Sequence, residues 1–204
     1  MISILTGDII NSRKSKPGIW LEALKSELNL VGQSPEYWET YGGDTFQLRV
    51  DDPLNALLVA IKIKAAIKTI EHLDVRLSIG IGDITYKSER ITECNGSAFI
   101  FSGEKFNLLK KEKQTLAVKT TWPDFDTTIN LCLRLGTVFM DKWSFKSAEI
   151  VNLRLTRPQA SQEELGLIHG NLKQNAVSSR LTRAHFDEIM EINELYKSKL
   201  NELL

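Results

Sequence analysis

Tyr37-Trp38-Glu39-Thr40-Tyr41, Gly42-Gly43-Asp44, Thr45-Phe46-Gln47-Leu48-Arg49-Val50 is a strand, a tight turn and a second strand. The flanks are aromatic and β-branched, and Gly-Gly-Asp supplies residues that tolerate the positive φ of a short hairpin turn. Before it, residues 2–10 are β-branched and predict a buried strand that ends near Asp8. Pro17 then suits the first turn of a helix with Ile19, Trp20, Leu24 and Leu28 on one face. After it, residues 53–72 predict a helix opened by Pro53 and carrying Leu57, Leu58, Ala60, Ile61, Ile63, Ile67 and Ile70. A strand over 75–82, a helix over 96–112 and a strand over 115–120 follow.

The first six elements run β-α-β-β-α-β, which predicts an α+β domain of ferredoxin-like arrangement over residues 1–122. Such a sheet is expected to keep its helices on one face and leave the other for a ligand or partner. Beyond Pro123 the pattern is helical, with linking helices over 123–155 and a small all-α module over 156–204.

Asp8 ends the first strand and Asp44 sits in the hairpin turn. If the hairpin lies beside the first strand, the two carboxylates converge into a site for Mg²⁺, which prefers hard oxygens and binds phosphate at the same time. Gly42 and Gly43 would leave space beside the backbone for a triphosphate. The bland alternatives are a plain hairpin turn and a strand-end cap. Asp83 and Glu104 are weaker candidates as further ligands.

Ser161-Gln162-Glu163-Glu164 is a capping-box pattern that opens a helix in the second module. Gly166 is small where two helices must approach, and Gly170 suits a left-handed turn. In the following run, Lys173 to Ala184, Val177 and Leu181 are expected inside. Lys173, Gln174, Asn175, Ser178, Ser179, Arg180 and Arg183 are candidate DNA contacts, because each can hydrogen-bond a base edge or a phosphate. A helical hairpin that merely packs is the alternative.

These residues carry family resemblances. Thr6-Gly7-Asp8-Ile9-Ile10, Gly43-Asp44, Val75 to Gly82 and Gly96-Ser97-Ala98-Phe99 resemble, in order, four motifs of class III nucleotide cyclases. Gly42-Gly43-Asp44-Thr45-Phe46 also resembles the GGDEF turn of diguanylate cyclases. That resemblance implies metal ligation by Asp8 and Asp44, and nucleotide contact near Gly7, Gly42 and Gly43. The Asn and Arg that support the transferring phosphates in cyclases are matched here by Ile100 and Glu104. An apolar side chain and an anion cannot replace a phosphate-binding pair. Lys105 neighbours Glu104 but points about 100° away on a helix.

The run from Leu172 to Ala184 resembles the helix-turn-helix of sigma-factor region 4, with Asn171 inserted after the turn glycine and His169 where the pattern is apolar. The two modules together resemble the SatD family of bacterial proteins. The resemblance implies a nucleotide- or metal-binding regulatory domain coupled to DNA binding. The alternative is a Mg²⁺-dependent nucleotidyl transferase or degenerate nucleotide cyclase.

Charge bears on the DNA reading. Lys+Arg and Asp+Glu are 26 each, so any basic surface must be local. Between Arg157 and Phe186 there are four basic residues (Arg157, Lys173, Arg180, Arg183) against two acids (Glu163, Glu164), a modest +2. After Arg183 an amphipathic, acidic helix carries Phe186, Ile189, Ile192, Leu195, Tyr196, Leu200 and Leu203. It is expected either to dock on the first domain or to pair with another copy, giving a homodimer. Cys94 and Cys132 form no CxxC pair and are expected to be buried, reduced thiols. No stretch approaches the roughly 18 apolar residues of a membrane span, and no signal-peptide pattern opens the chain, so a cytoplasmic protein is expected.

Overall fold

The computed structural model describes residues 1–204. It is an α+β protein with a mixed sheet of five strands and eight α-helices. In chain order these are β1 (Ile2–Ile10), α1 (Pro17–Asn29), β2 (Trp38–Tyr41), β3 (Thr45–Val50), α2 (Ala56–Lys68), β4 (Asp74–Gly82), α3 (Ser97–Glu112) and β5 (Leu116–Lys119). Then follow α4 (Pro123–Met140), α5 (Phe145–Thr156), α6 (Gln162–Ile168), α7 (Gln174–Arg183) and α8 (Phe186–Asn201). No helix is long and apolar enough to cross a membrane.

The sheet order is β2-β3-β1-β4-β5, with β1 antiparallel to both β3 and β4, and β4 parallel to β5. The period of two assigns the faces. Leu5 and Ile9 of β1, with Phe46, Leu48, Leu77 and Ile79, join the main core beneath α1, α2 and α4. Ile4 turns to the other face and packs with Ala98 and Phe99 of α3. The expectation of one uncovered face is therefore corrected, because α3 covers β1 and β4 there.

Small residues make that approach possible. A Cβ on Gly80 would collide with the Ala98 carbonyl oxygen, and one on Gly82 would lie 2.7 Å from the Ala98 nitrogen. The Ser102 hydroxyl reaches Thr6 Oγ1 at 2.7 Å, and Ser78 Oγ donates to the Ser102 carbonyl at 2.8 Å. This polar seam between sheet and helix satisfies groups that would be costly to bury alone.

The C-terminal helices continue the same core. Tyr196 and Leu200 of α8 are fully buried, Tyr196 packs on Phe125 of α4, and its hydroxyl donates to the Pro53 carbonyl at 2.8 Å. α8 thus docks on the first domain, with Ile189, Tyr196 and Leu200 buried, while Leu195 and Leu203 of its apolar stripe are exposed. The two cysteines are half-buried free thiols.

The close contact of β4 with α3 predicts opposite effects for two glycines. Gly80→Ala forces backbone apart and lowers stability by about 1–3 kcal/mol. Gly103→Ala, inside α3 with no atom within 4 Å of a new Cβ, raises it by about 0.5–1 kcal/mol. Urea midpoints of the two variants, measured side by side, should move in opposite directions.

Candidate functional site

The first site lies where β1 ends. Asp8 pairs across the ladder with Thr45 on one side and with Arg76 on the other. The Ile9 N–H donates to the Asp44 carbonyl at 3.2 Å, so the hairpin turn is held against the end of β1. Register thus places the backbone of Asp44 beside the end of β1, near enough for its charge to act on Asp8. Asp44 Oδ2 accepts a hydrogen bond from the Ser12 hydroxyl at 2.6 Å, in the connection from β1 to α1.

Asp8 is poorly satisfied. Arg76 Nη1 stands 3.6 Å from its Oδ2, an ion pair beyond hydrogen-bond length. Its Oδ1 is buried and has no partner. Burial pushes the Asp8 acid above the usual carboxylate range; the Arg76 charge opposes this, Asp44 adds to it, and Lys110 opposes it again. A carboxylate with one idle buried oxygen beside a second carboxylate is an environment that a cation would relieve.

A cavity of ≈ 660 Å³ adjoins Asp44, lined by Ser12, Arg13, Ser15, Pro17, Trp20, Gly42, Gly43 and Asp44. Gly42 (φ +61°) and Gly43 (φ +100°) are required by the turn itself, and no atom crowds a Cβ at Gly43. Neither Asp8 nor Gly7 lines this cavity. Gly7 lies on the opposite face of β1 from Asp8, where a Cβ would meet Leu77 and Phe46 at 2.7 Å, so core packing requires the glycine.

Two weaker ligand candidates fall elsewhere. β4 runs antiparallel to β1, which carries Asp83 to the far end of the sheet beside the Met1 ammonium at 3.9 Å. Glu104 pairs with Lys119. Ile100 is exposed on the surface of α3. Nowhere do three or more His, Cys, Asp or Glu side chains assemble into a metal cage. The donor set is two carboxylates, a number suited to Mg²⁺ held jointly with phosphate oxygens and water. Arg76 and Lys110, the cations acting on Asp8, escaped the sequence reading. Strand alternation could have identified Arg76; Lys110 depends on where α3 ends.

The second site is α7 with its neighbours. Ser161 accepts from the Glu164 N–H at 3.2 Å and Glu164 accepts from the Ser161 N–H at 2.7 Å, the expected capping box. The α6–α7 connection turns through Gly170 (φ +76°) and Asn171 (φ +62°), so the extra residue is absorbed as a second left-handed step. Gly166 sits against the Leu172 carbonyl, where any side chain would collide. His169 reaches Glu149 of α5 at 3.2 Å, which accounts for a polar residue in that place.

Val177 and Leu181 are buried, anchoring α7. Lys173, Gln174, Asn175, Ser179 and Arg183 are exposed, whereas Ser178 and Arg180 are half-buried. The outward set is therefore narrower than the sequence reading, because α7 leans its Arg180 side toward the start of α5.

Comparison with protein-family models, curated proteins and solved structures finds no match to this chain.

The strained chemistry of Asp8 has a testable consequence. Its acid is raised in the folded state, so folding favours the protonated form. That contribution is complete below the ordinary aspartate range and is lost as pH rises through the raised value. Asp8→Asn should therefore unfold at higher urea than wild type at pH 7, with the advantage shrinking as the pH falls into the aspartate range. Urea titrations at a series of pH values measure the trend.

Proposed function

We propose that this chain is a regulatory nucleic-acid-binding protein. In this reading α6 and α7 act as a helix-turn-helix, and the carboxylate end of the sheet is the input site for a nucleotide with Mg²⁺. The single observation that carries it is the polarity of α7. Val177 and Leu181 fix one side of the helix in the core, while Gln174, Asn175, Ser179 and Arg183 face solvent. A helix anchored in this way presents base-reading and phosphate-reading groups at a fixed orientation.

The sheet supports the input half. Its order β2-β3-β1-β4, with β1 antiparallel to both neighbours, agrees with a ferredoxin-like domain of nucleotide-cyclase type. Asp8 and Asp44 would hold Mg²⁺, which would supply positive charge for the phosphates of a nucleotide, and of the two carboxylates Asp44 borders the cavity. Ser12, Arg13 and Ser15 line that cavity with donors suited to phosphate. The motif resemblance to the SatD family is consistent with both halves.

A second reading keeps the same carboxylates for a Mg²⁺-dependent nucleotidyl transfer. The same cavity of ≈ 660 Å³ is available to it. Ile100 and Glu104 argue against cyclisation, since neither can support a transferring phosphate. Pyrophosphate release from nucleoside triphosphates with Mg²⁺ or Mn²⁺ would establish it; binding without turnover would remove it.

Two measurements test the first reading. Wild-type protein should bind labelled duplex DNA with an affinity that falls steeply between 50 and 200 mM salt, as phosphate contacts require. Arg183→Ala should weaken that binding several-fold with the fold intact by circular dichroism. Undiminished binding by Arg183→Ala would remove α7 as the contact. Separately, ATP with Mn²⁺ should raise the melting temperature of wild type, and Asp8→Asn combined with Asp44→Asn should abolish the rise.

A further inference from the structure

Ser144, Lys146 and Ser147 at the start of α5 close with Lys173, Asn175, Ala176, Ser179, Arg180 and Arg183 around a cavity of ≈ 630 Å³. Four of these nine side chains are cations, and no carboxylate is among them.

The charges are left uncompensated by the rest of the chain. Some surface cations elsewhere find acids, as Lys105 does with Glu112 and Lys119 with Glu104, and others such as Arg134 and Lys142 stand alone; what sets this group apart is that four cations share one cavity with no carboxylate in its lining. Lys146, Lys173, Arg180 and Arg183 have no ion-pair partner in the whole set of bridges, from the N-terminus at Asp83 to Lys199 at Glu202. What they do have is weak. Lys146 lies 6.0 Å from the centre of its neighbour Phe145, and Arg183 Nε donates to the Ser179 carbonyl of its own helix at 3.1 Å. Arg180 Nη1 is buried with no hydrogen-bond partner at all.

Four like charges around one concavity repel one another, and a buried guanidinium nitrogen without an acceptor carries a desolvation cost. A bound anion with several acceptor oxygens removes both penalties. Hydroxyls at Ser147 and Ser179 and the Asn175 amide add donors of the kind that hold phosphate oxygens.

We infer that this cavity seats a backbone phosphate of duplex DNA, with Lys146 of α5 supplying the contact from outside the helix-turn-helix. The inference rests on the reading of α7 as a DNA-facing helix and extends it to a second element. The phosphate is gripped between α5 and α7, which fixes how α7 lies on the duplex. Phosphate chemistry alone is also offered by free nucleotides, so the test separates the two sources.

Full-length protein is titrated with a labelled 30-base-pair duplex at salt concentrations from 50 to 200 mM. Lys146→Ala should lower the magnitude of the log–log salt slope by about 0.9, the loss of one phosphate contact, and weaken binding several-fold at a fixed salt concentration. Lys146→Arg should restore the slope. Lys142→Ala, an exposed cation outside the cavity, should leave slope and affinity unchanged. Wild-type behaviour of Lys146→Ala while Arg183→Ala loses binding overturns the seat and leaves the α7 reading standing. A wild-type protein that binds no duplex, yet binds inorganic phosphate or ATP in a manner dependent on Lys146, overturns the nucleic-acid source.

Discussion

The ammonium group of Lys64 is fully buried and lies 2.7 Å from Asp74 and 2.7 Å from Asp141. Lys68, one turn later, contacts Asp74 at 3.1 Å and donates to the Asp141 carbonyl at 2.8 Å, and Thr115 donates to Asp141 at 2.7 Å. Two cations and two anions form a charge-neutral joint. It ties together α2, the start of β4, the approach to β5 and the end of α4. A buried charge without its partner costs about 3–5 kcal/mol, a cost that falls on Lys64 and Lys68 if Asp74 is lost, whereas Asp141 is partly exposed. Hydrophobic contact could hold these elements together in several ways; four charges with directional hydrogen bonds restrict the geometry in which all are satisfied. The helices beyond α4 follow it directly in the chain. Trp143, two residues after Asp141, donates from its indole to the Ala184 carbonyl at the end of α7, 2.8 Å away.

That joint also lies between the two candidate sites. Asp74 pairs with Ile10 across the ladder, two residues from Asp8, while Asn11 donates to the His72 carbonyl at 3.1 Å. A cavity of ≈ 490 Å³ between sheet and helices is lined by Asn11, Asp74, Asp141 and Ser144 among others, and Ser144 caps α5 and borders the basic cavity as well. The carboxylate end of the sheet and the start of α5 therefore share a short, packed boundary. Proximity of this kind is an arrangement and not a coupling, which requires two states that both ligands bias.

The elements were legible in the sequence where local chemistry dictates them. Pro17 at the start of α1, the Gly42-Gly43-Asp44 turn, the alternation of β3 and the Ser161–Glu164 capping box each follow from neighbours within a few residues. What escaped reading depends on contacts between distant segments. The uncovered face expected for the sheet is closed by α3 because Gly80 and Gly82 admit backbone contact; in the sequence those glycines do suggest close backbone approach, but nothing local says which element approaches. Gly7 reads as part of a binding motif, yet it serves the core, since the period of two places it on the face opposite Asp8. Lys64 and Lys68 sit, with Lys62, in an otherwise apolar helix with nothing local to show that Asp74 and Asp141 will neutralise two of the three.

Charge sorting by the fold also decides the electrostatics of α7. Along the chain, Glu163 and Glu164 offset two of the nearby cations, and a count by sequence gives the region little excess. In space, Glu164 folds back to cap the Ser161 N–H, Glu149 turns to His169, and Glu188 to His185. The cavity between α5 and α7 keeps Lys146, Lys173, Arg180 and Arg183 and no acid. Screening in physiological salt limits the reach of exposed charges to roughly 8 Å, so an anion in this cavity is governed by those four groups more than by the neutral total. A chain with zero net charge can therefore present a cationic seat, provided that its acids are held by other partners when the helices assemble.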